Sequence, residues 1–399
     1  MRHADAGPGG RPPLAASSRS RIEPFRAMSV VARAGELAGA GRDIVLMCVG
    51  QPDAPAPLAA REAAARAALA GPIGYTASAG TPALRRRIAR HYRERYGVEP
   101  DPARVYVTTG SSAGFILSFL AAFDAGDRVA IPAPGYPAYR NILRALSLEP
   151  VEIECVAADR WVITPALLEA AHARAPLAGL LVANPNNPNG TMLRPEAFHA
   201  LVDAARALGI RLISDEIYHG LTFDMAETTA LGLDEDAFVI NSFSKFFCMT
   251  GWRVGWMVVP EAMIETVDRL QQNAFICAPE ISQIAALAAF DGMAELEAVR
   301  RGYARNRALM LARLPRLGFG EVQPIDGAFY AYAEAGALAD DTARFAARLL
   351  EEAGVAVTPG VDFDARRGRR WLRFSFAGDH GRIAEGLDRI EAWLGRQNR

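Results

Sequence analysis

The only lysine in this 399-residue chain is Lys245, set against 43 arginines. Arginine stays protonated in proteins, so it serves wherever a fixed positive charge suffices but never as an amine nucleophile. A lysine kept at one place points to chemistry that needs a primary amine: covalent catalysis through a Schiff base. Its neighbours decide between that and a chance survivor. Lys245 closes Ser242-Phe243-Ser244-Lys245 after an apolar run, and Arg253 follows eight residues on in Gly251-Trp252-Arg253.

Other chemistry-bearing residues also stand just past apolar runs. Thr109-Gly110-Ser111-Ser112-Ala113-Gly114 opens a helical pattern, where small residues and free N–H groups form an anion site suited to a phosphate. Pro134-Gly135-Tyr136-Pro137 offers an aromatic ring for stacking on a flat ligand. Asn184-Pro185-Asn186-Asn187-Pro188-Asn189-Gly190 is a polar, proline-stiffened loop. Asp215 and Tyr218 follow another strand pattern, and a carboxylate leaving a buried strand requires a cation nearby. Taken singly, these are a helix cap, a core tyrosine and a turn. Taken together they are what pyridoxal 5′-phosphate requires. Lys245 would form the imine with its aldehyde, and Asp215 would keep the pyridine nitrogen protonated, making the ring an electron sink. Tyr218 and Asn187 would reach the ring oxygen, while Gly110, Ser111, Ser112, Ser242 and Arg253 would hold the phosphate.

The elements that must position these groups are legible as alternating patterns from about 103 to 260. Strands are expected at 105–108, 128–131, 151–154, 179–183, 211–214, 238–241 and 254–259, with helices at 112–123, 165–174, 195–208 and 261–275 among them. Apolar, largely β-branched runs joined by helices predict an α/β fold, with a mostly parallel seven-stranded sheet covered on both faces. Ligands then bind at the carboxyl ends of the strands. Before this region, helices are expected at 28–37, 57–70 and from Thr81-Pro82 to Gly97, with a strand at 44–49. After it, a helix at 294–317, strands at 328–332, 355–358 and 371–376, and helices at 341–353 and 380–396 predict a smaller α+β domain. The organisation expected is a disordered tail at 1–20, an arm and part of the small domain at 21–56, a large domain at 57–290 and a small domain at 291–399.

Composition narrows the function classes. A net charge of −1 gives no reason to expect a nucleic-acid binder. The runs Arg85–Arg87 and Arg366–Arg370 are read as solvated faces. No apolar run approaches the ~18 residues of a membrane span, and the first 20 residues lack a signal-peptide core. The four cysteines and six histidines form no metal-ligand spacing, so no metal is expected and a reducing, cytoplasmic setting is.

On Ser242-x-Ser244-Lys245 with Gly251-Trp252-Arg253-x-Gly255, supported by Asn187-Pro188-x-Gly190 and Asp215-x-x-Tyr218, the chain resembles the class I/II aminotransferases, pyridoxal-phosphate enzymes of fold type I similar to the aspartate and aromatic group. The resemblance runs from about residue 21 to the C-terminus. It implies that Arg373, in Trp371-Leu372-Arg373-Phe374-Ser375, grips the substrate α-carboxylate, and that Gly50 lines the substrate site with Asn187. It further implies a homodimer in which Tyr75 crosses the interface to the other copy's phosphate. Asn189 stands where the family usually has Thr, and Tyr136 where several members have Trp. The activity implied is ping-pong transfer of an amino group between an L-amino acid and a 2-oxo acid through a Lys245 Schiff base. A carbon–sulfur β-lyase on the same scaffold is the alternative, since fold alone does not fix the reaction. A regulator's effector domain would need a DNA-binding module, which about 20 leading residues cannot supply.

Overall fold

The structure, a computed structural model, describes residues 14–397. In chain order it contains α1 (Arg26–Gly39), β1 (Val45–Leu46), α2 (Leu58–Ala70), α3 (Pro82–Tyr96), β2 (Val105–Thr108), α4 (Gly110–Ala122), β3 (Arg128–Ala133), α5 (Pro137–Ala145), β4 (Glu149–Glu154), α6 (Pro165–Arg174), β5 (Gly179–Ala183), α7 (Pro195–Ala207), β6 (Arg211–Asp215), β7 (Phe238–Ser242), β8 (Gly255–Val258), α8 (Ile264–Ala274), α9 (Glu280–Ala289), α10 (Met293–Arg313), β9 (Tyr330–Glu334), α11 (Thr342–Ala353), β10 (Val355–Ala356), β11 (Thr358–Pro359), β12 (Trp371–Ser375) and α12 (His380–Gln397).

The large sheet has seven strands in the order β2-β8-β7-β6-β5-β3-β4, and only β8 among them runs antiparallel to its neighbours. Side chains alternate between its two faces, as pleating requires. Leu180, Val182, Leu212, Trp256 and Val258 join one core layer with Leu84, Ile88, Phe198 and Ala285 from α3, α7 and α9. Leu181, Ile213, Ile240 and Met257 join the other with Phe115, Phe119, Tyr139 and Val267 from α4, α5 and α8. Double coverage explains why the strands read as continuous apolar runs.

A three-stranded antiparallel sheet, β11-β12-β9, lies in the C-terminal part of the chain. Residues from the N-terminal arm attach beside it: β1 and β10 pair in parallel as a separate two-stranded sheet, and Ser375 N of β12 donates to Met47 O at 2.8 Å. That bridge carries Cys48 and Gly50 from the arm to the rim of the large sheet.

Several local expectations need correction. The segment at 294–317 is α10 followed by a 3-10 turn at Pro315–Leu317, and α5 and α9 were not anticipated individually. Thr81 starts α3 without a side-chain capping bond, while Gly97 ends it in the left-handed region at φ 73°. The arginine runs are only partly solvated. Arg85 donates to Val105 O, Arg87 lies 4.0 Å from the centroid of the Phe290 ring, and Arg367 donates to Ala133 O and Cys155 O. Of the expected tail, residues 1–13 lie outside the described residues, and Ser18–Ser20 form a single exposed 3-10 turn.

Candidate active site

Lys245 sits just beyond the end of β7, where a turn aims its amine at the N-terminal arm: Nζ donates to Gly50 O at 2.6 Å. The two serines of the motif shape that turn. Ser242 Oγ accepts from Ser244 N at 3.1 Å and lies 2.9 Å from Ser244 Oγ and 3.1 Å from Val254 O, its hydroxyl turned into the protein. Burial pushes the Lys245 ammonium down to about 8; the guanidiniums of Arg373 and Arg253 act in the same direction and Asp215 opposes them. An amine held this way is readily neutral, hence nucleophilic and basic.

Asp215, the last residue of β6, is buried. One carboxylate oxygen accepts from the Tyr139 hydroxyl and the other from Ile217 N at 3.0 Å. Burial nevertheless pushes its carboxyl up to about 6. An acid raised by desolvation gains most from a cationic partner, and a protonated pyridine nitrogen fits that need. Tyr139 escaped the sequence reading. It stands on α5, three residues after Tyr136 at that helix's N-cap, and their rings meet edge to face at 5.3 Å. Tyr136 is half-buried and also meets Phe25 from the arm at 5.8 Å.

The phosphate end is built by the odd strand out. Because β8 runs against its neighbours, its start lies where β2 and β7 end, and Gly255 pairs with both Thr108 and Ser242. Arg253, two residues earlier in the left-handed region at φ 51°, is thereby laid over the first turn of α4. A Cβ on Gly110 would collide with its guanidinium, and one on Gly255 would come within 3.1 Å of Ser111 N. Gly110, Ser111 and Ser112 thus form a close-fitting helix N-terminus under a guanidinium, a donor set that fits a phosphate dianion. The helix starts at Gly110, two residues before the expected boundary, so all three belong to its first turn.

At the opposite end Arg373, on β12, is 2% exposed. It donates to Asn187 Oδ1 at 2.9 Å and Cys48 O at 2.5 Å, while its Nε has no partner among the described residues. A buried, unmatched donor costs about 1–3 kcal/mol and fits an incoming carboxylate. The guanidinium lies between the rings of Tyr330 (4.4 Å) and Phe363 (4.6 Å). Tyr218 Oη lies 2.9 Å from Tyr330 Oη. Asn189 braces the loop carrying Asn187: its Oδ1 accepts from Asn186 Nδ2 and Thr191 Oγ1, and its Nδ2 donates to Gln323. Tyr75 alone stays outside this cluster, 82% exposed.

Gly50 is the tightest point. A Cβ there would overlap the Tyr330 hydroxyl and come 2.8 Å from its Cζ. Gly50→Ala is expected to keep the fold but lower kcat/KM by about ten- to a hundredfold, the cost of overpacking by 1–3 kcal/mol. Parallel kinetics and melting curves check this; parent-like kinetics would mean the ring gives way freely.

A desolvated lysine and a buried acid at the ends of neighbouring strands, a helix N-terminus under a guanidinium, and a second buried guanidinium brought in on β12 form a donor set that fits pyridoxal 5′-phosphate on a fold type I scaffold. Residues 42–390 match the family "Aminotransferase class I and II". The valine–pyruvate aminotransferase of Mycobacterium tuberculosis is 46% identical over 383 residues, covering 95% of this chain and 98% of that protein. The aspartate/prephenate aminotransferase of Thermus thermophilus is 34% identical, covering 94% and 97%. Among solved structures, an aminotransferase from M. tuberculosis superposes with a TM-score of 0.93 at 45% identity, covering 96% and 100%. The T. thermophilus aspartate aminotransferase with maleate gives 0.89 at 32%, covering 95% and 99%. The chain belongs to the class I and II aminotransferases, and it is a pyridoxal-phosphate-dependent transaminase acting on an amino acid and a 2-oxo acid. Nothing in these relatives favours the β-lyase alternative.

Proposed function

We propose that this transaminase takes its amino group from an apolar L-amino acid such as valine and passes it to a short 2-oxo acid such as pyruvate. The observation that carries the catalytic assignment is Lys245, the chain's one lysine, held on Gly50 O with its ammonium pushed down to about 8. Support for the donor class comes from the valine–pyruvate enzyme, which is 46% identical over 383 residues covering 95% of this chain.

Pyridoxal 5′-phosphate, when bound, supplies an aldehyde that carries the amino group and a ring that withdraws electrons from the substrate Cα. The chain's residues do the rest. Arg373 binds the α-carboxylate through its planar fork, with Asn187 and Gly50 bounding that end. Lys245 Nζ holds the cofactor, then takes the Cα proton as a general base and returns one in the reverse half-reaction. Asp215, steadied by Tyr139, would keep a proton on the ring nitrogen of the bound group. Tyr218 and Asn187 would serve its ring oxygen, and Tyr136 would offer a ring for stacking. Gly110, Ser111, Ser112 and Arg253 would hold the phosphate, with Ser242 shaping the turn beside it.

The active form we infer is a homodimer. Leu69 (89%), Ile73 (42%) and Tyr75 are exposed within a short stretch of chain, apolar surface that a second copy would bury while receiving the Tyr75 hydroxyl near its phosphate. Four unpaired thiols, three of them buried, suit the cytoplasm. The pairing of β1 with β10 supports a small domain of 21–56 with 291–399 beside a cofactor domain of 57–290.

Mixing the cofactor-loaded protein with single amino acids tests the assignment. Valine is expected to convert the cofactor band stoichiometrically to the amine form, pyruvate to restore it, and aspartate to react at least about tenfold more slowly. Aspartate as the fastest donor would overturn the substrate class. Ammonia released in excess of enzyme, with the band unchanged, would overturn transfer itself.

A further inference from the structure

Tyr330 has no place in the motifs, yet it touches three parts of the site. It opens β9, is 1% exposed, and has its hydroxyl 2.9 Å from that of Tyr218. Its ring lies 4.4 Å from the Arg373 guanidinium carbon. Its phenol end occupies the space a side chain on Gly50 would take, and Gly50 is the residue whose carbonyl holds Lys245.

Sheet register accounts for this convergence. β12 pairs with β9 so that Arg373 stands opposite Tyr332 and Ser375 opposite Tyr330. Tyr330 and Tyr332 are two residues apart, on the same face, and Arg373 meets both diagonally and directly. The Tyr330 ring therefore supports the guanidinium from the side, and its hydroxyl crosses to β6's Tyr218.

We propose that Tyr330 is a positioning residue that donates its hydroxyl proton to Tyr218, leaving the Tyr218 proton directed at the cofactor's ring oxygen, while its ring braces Arg373. The inference rests on the reading above that Tyr218 faces that oxygen. Two phenols sharing one hydrogen bond must choose a donor. If Tyr218 donated to Tyr330, it would have no proton for the ligand. With Tyr330 donating, the bonds run in one direction, Tyr330 to Tyr218 to ring oxygen, and each polarises the next. A stronger donor at the ring oxygen favours the cofactor form with more negative charge there, which is the deprotonated form.

The test is the pH midpoint of the absorbance change of the bound cofactor in the parent, Tyr330→Phe, Tyr218→Phe and the double variant. Tyr330→Phe is expected to raise the midpoint by about 0.5–1 unit, the worth of one hydrogen bond. In the Tyr218→Phe background it should add less than about 0.2 unit, because the proton chain is already broken. An unmoved midpoint, or an equal shift in both backgrounds, overturns the proposal. Gly50→Ala gives a second route, displacing the Tyr330 hydroxyl without altering Tyr330, and should raise the midpoint too. A parent with no pH-dependent band would instead overturn the placement of Tyr218.

The ring's part is read by equilibrium binding of 3-phenylpropionate, an unreactive monocarboxylate. Tyr330→Phe keeps the ring and should change Kd by less than about twofold, whereas Tyr330→Leu should weaken binding by about five- to thirtyfold, the range of a desolvated cation–π contact. Equal affinities for the Phe and Leu variants overturn the bracing. If the parent itself does not bind the probe, it is the assignment of Arg373 that fails.

Discussion

Replacing Lys245 with alanine is expected to abolish multiple-turnover transamination, a loss of at least about 10⁴-fold. Two functions vanish together: the covalent anchor for the cofactor and the base that handles the Cα proton, the second alone worth about 10²–10⁴. Lys245→Arg should be as inactive, because arginine keeps the charge but never gives up its proton. No other lysine exists to substitute. Borohydride treatment of the loaded parent should therefore fix one cofactor per chain on the peptide carrying Lys245, and none in either variant. Turnover retained by Lys245→Ala at more than about 1% of the parent would refute the assignment.

The same substitution has a stability signature in cofactor-free protein. The folded chain pushes Lys245 down to about 8 from 10.5, chiefly by burial. Between those values the unfolded chain binds more protons, so this residue's contribution to stability rises with pH. Below about pH 8 its buried charge counts fully against folding. Lys245→Ala should then be the more stable protein at neutral pH, with the gap narrowing as pH climbs from 8 to 10.5. Urea midpoints across that range provide the check, and a gap independent of pH would mean the amine is not depressed.

Asp215→Asn should lower kcat by about 10²- to 10⁴-fold, matching the 3–5 kcal/mol lost when one partner of a buried charge pair is removed. Asparagine can keep much of the contact with Tyr139 and Ile217 but brings no negative charge to a pyridinium, so the loss should fall on the chemical step more than on folding. Cofactor affinity should weaken as well, seen as a higher Kd by fluorescence titration. Burial raises the Asp215 carboxyl to about 6 from 3.8, so in cofactor-free protein the folded chain binds the extra proton between those values. Its contribution to stability therefore grows as pH falls from 6 to 3.8, and Asp215→Asn should lose that dependence. Parent-like kcat in the Asn variant would remove Asp215 from the ring nitrogen.

Much of this was readable from local chemistry. Lys245 stands out because it is one lysine among 43 arginines and closes a Ser-x-Ser-Lys turn followed by Gly-Trp-Arg, and the strands of the large sheet announced themselves because burial on both faces demands unbroken apolar runs. The turn proposed to take the phosphate was legible for the same local reason: Gly110, Ser111 and Ser112 are adjacent in the chain. Tyr139 and Tyr330 were not legible. Each is one aromatic residue in an apolar stretch, where a ring packed in the core and a hydroxyl aimed at Asp215 or Tyr218 look alike.

The sequence by itself determined which functional groups exist and which strand ends present them, because side-chain type and the break from apolar run to polar turn are local properties. The tertiary structure alone decided which groups meet. The reversed direction of β8 between β2 and β7 lays Arg253 over Gly110, and β9 beside β12 sets Tyr330 against Arg373 and Tyr218. Pairing partner, direction and register arise from contacts between segments up to hundreds of residues apart, such as Lys245 with Gly50 and Arg373 with Asn187. Those contacts depend on how whole faces pack together, and no window of the chain contains both sides of them.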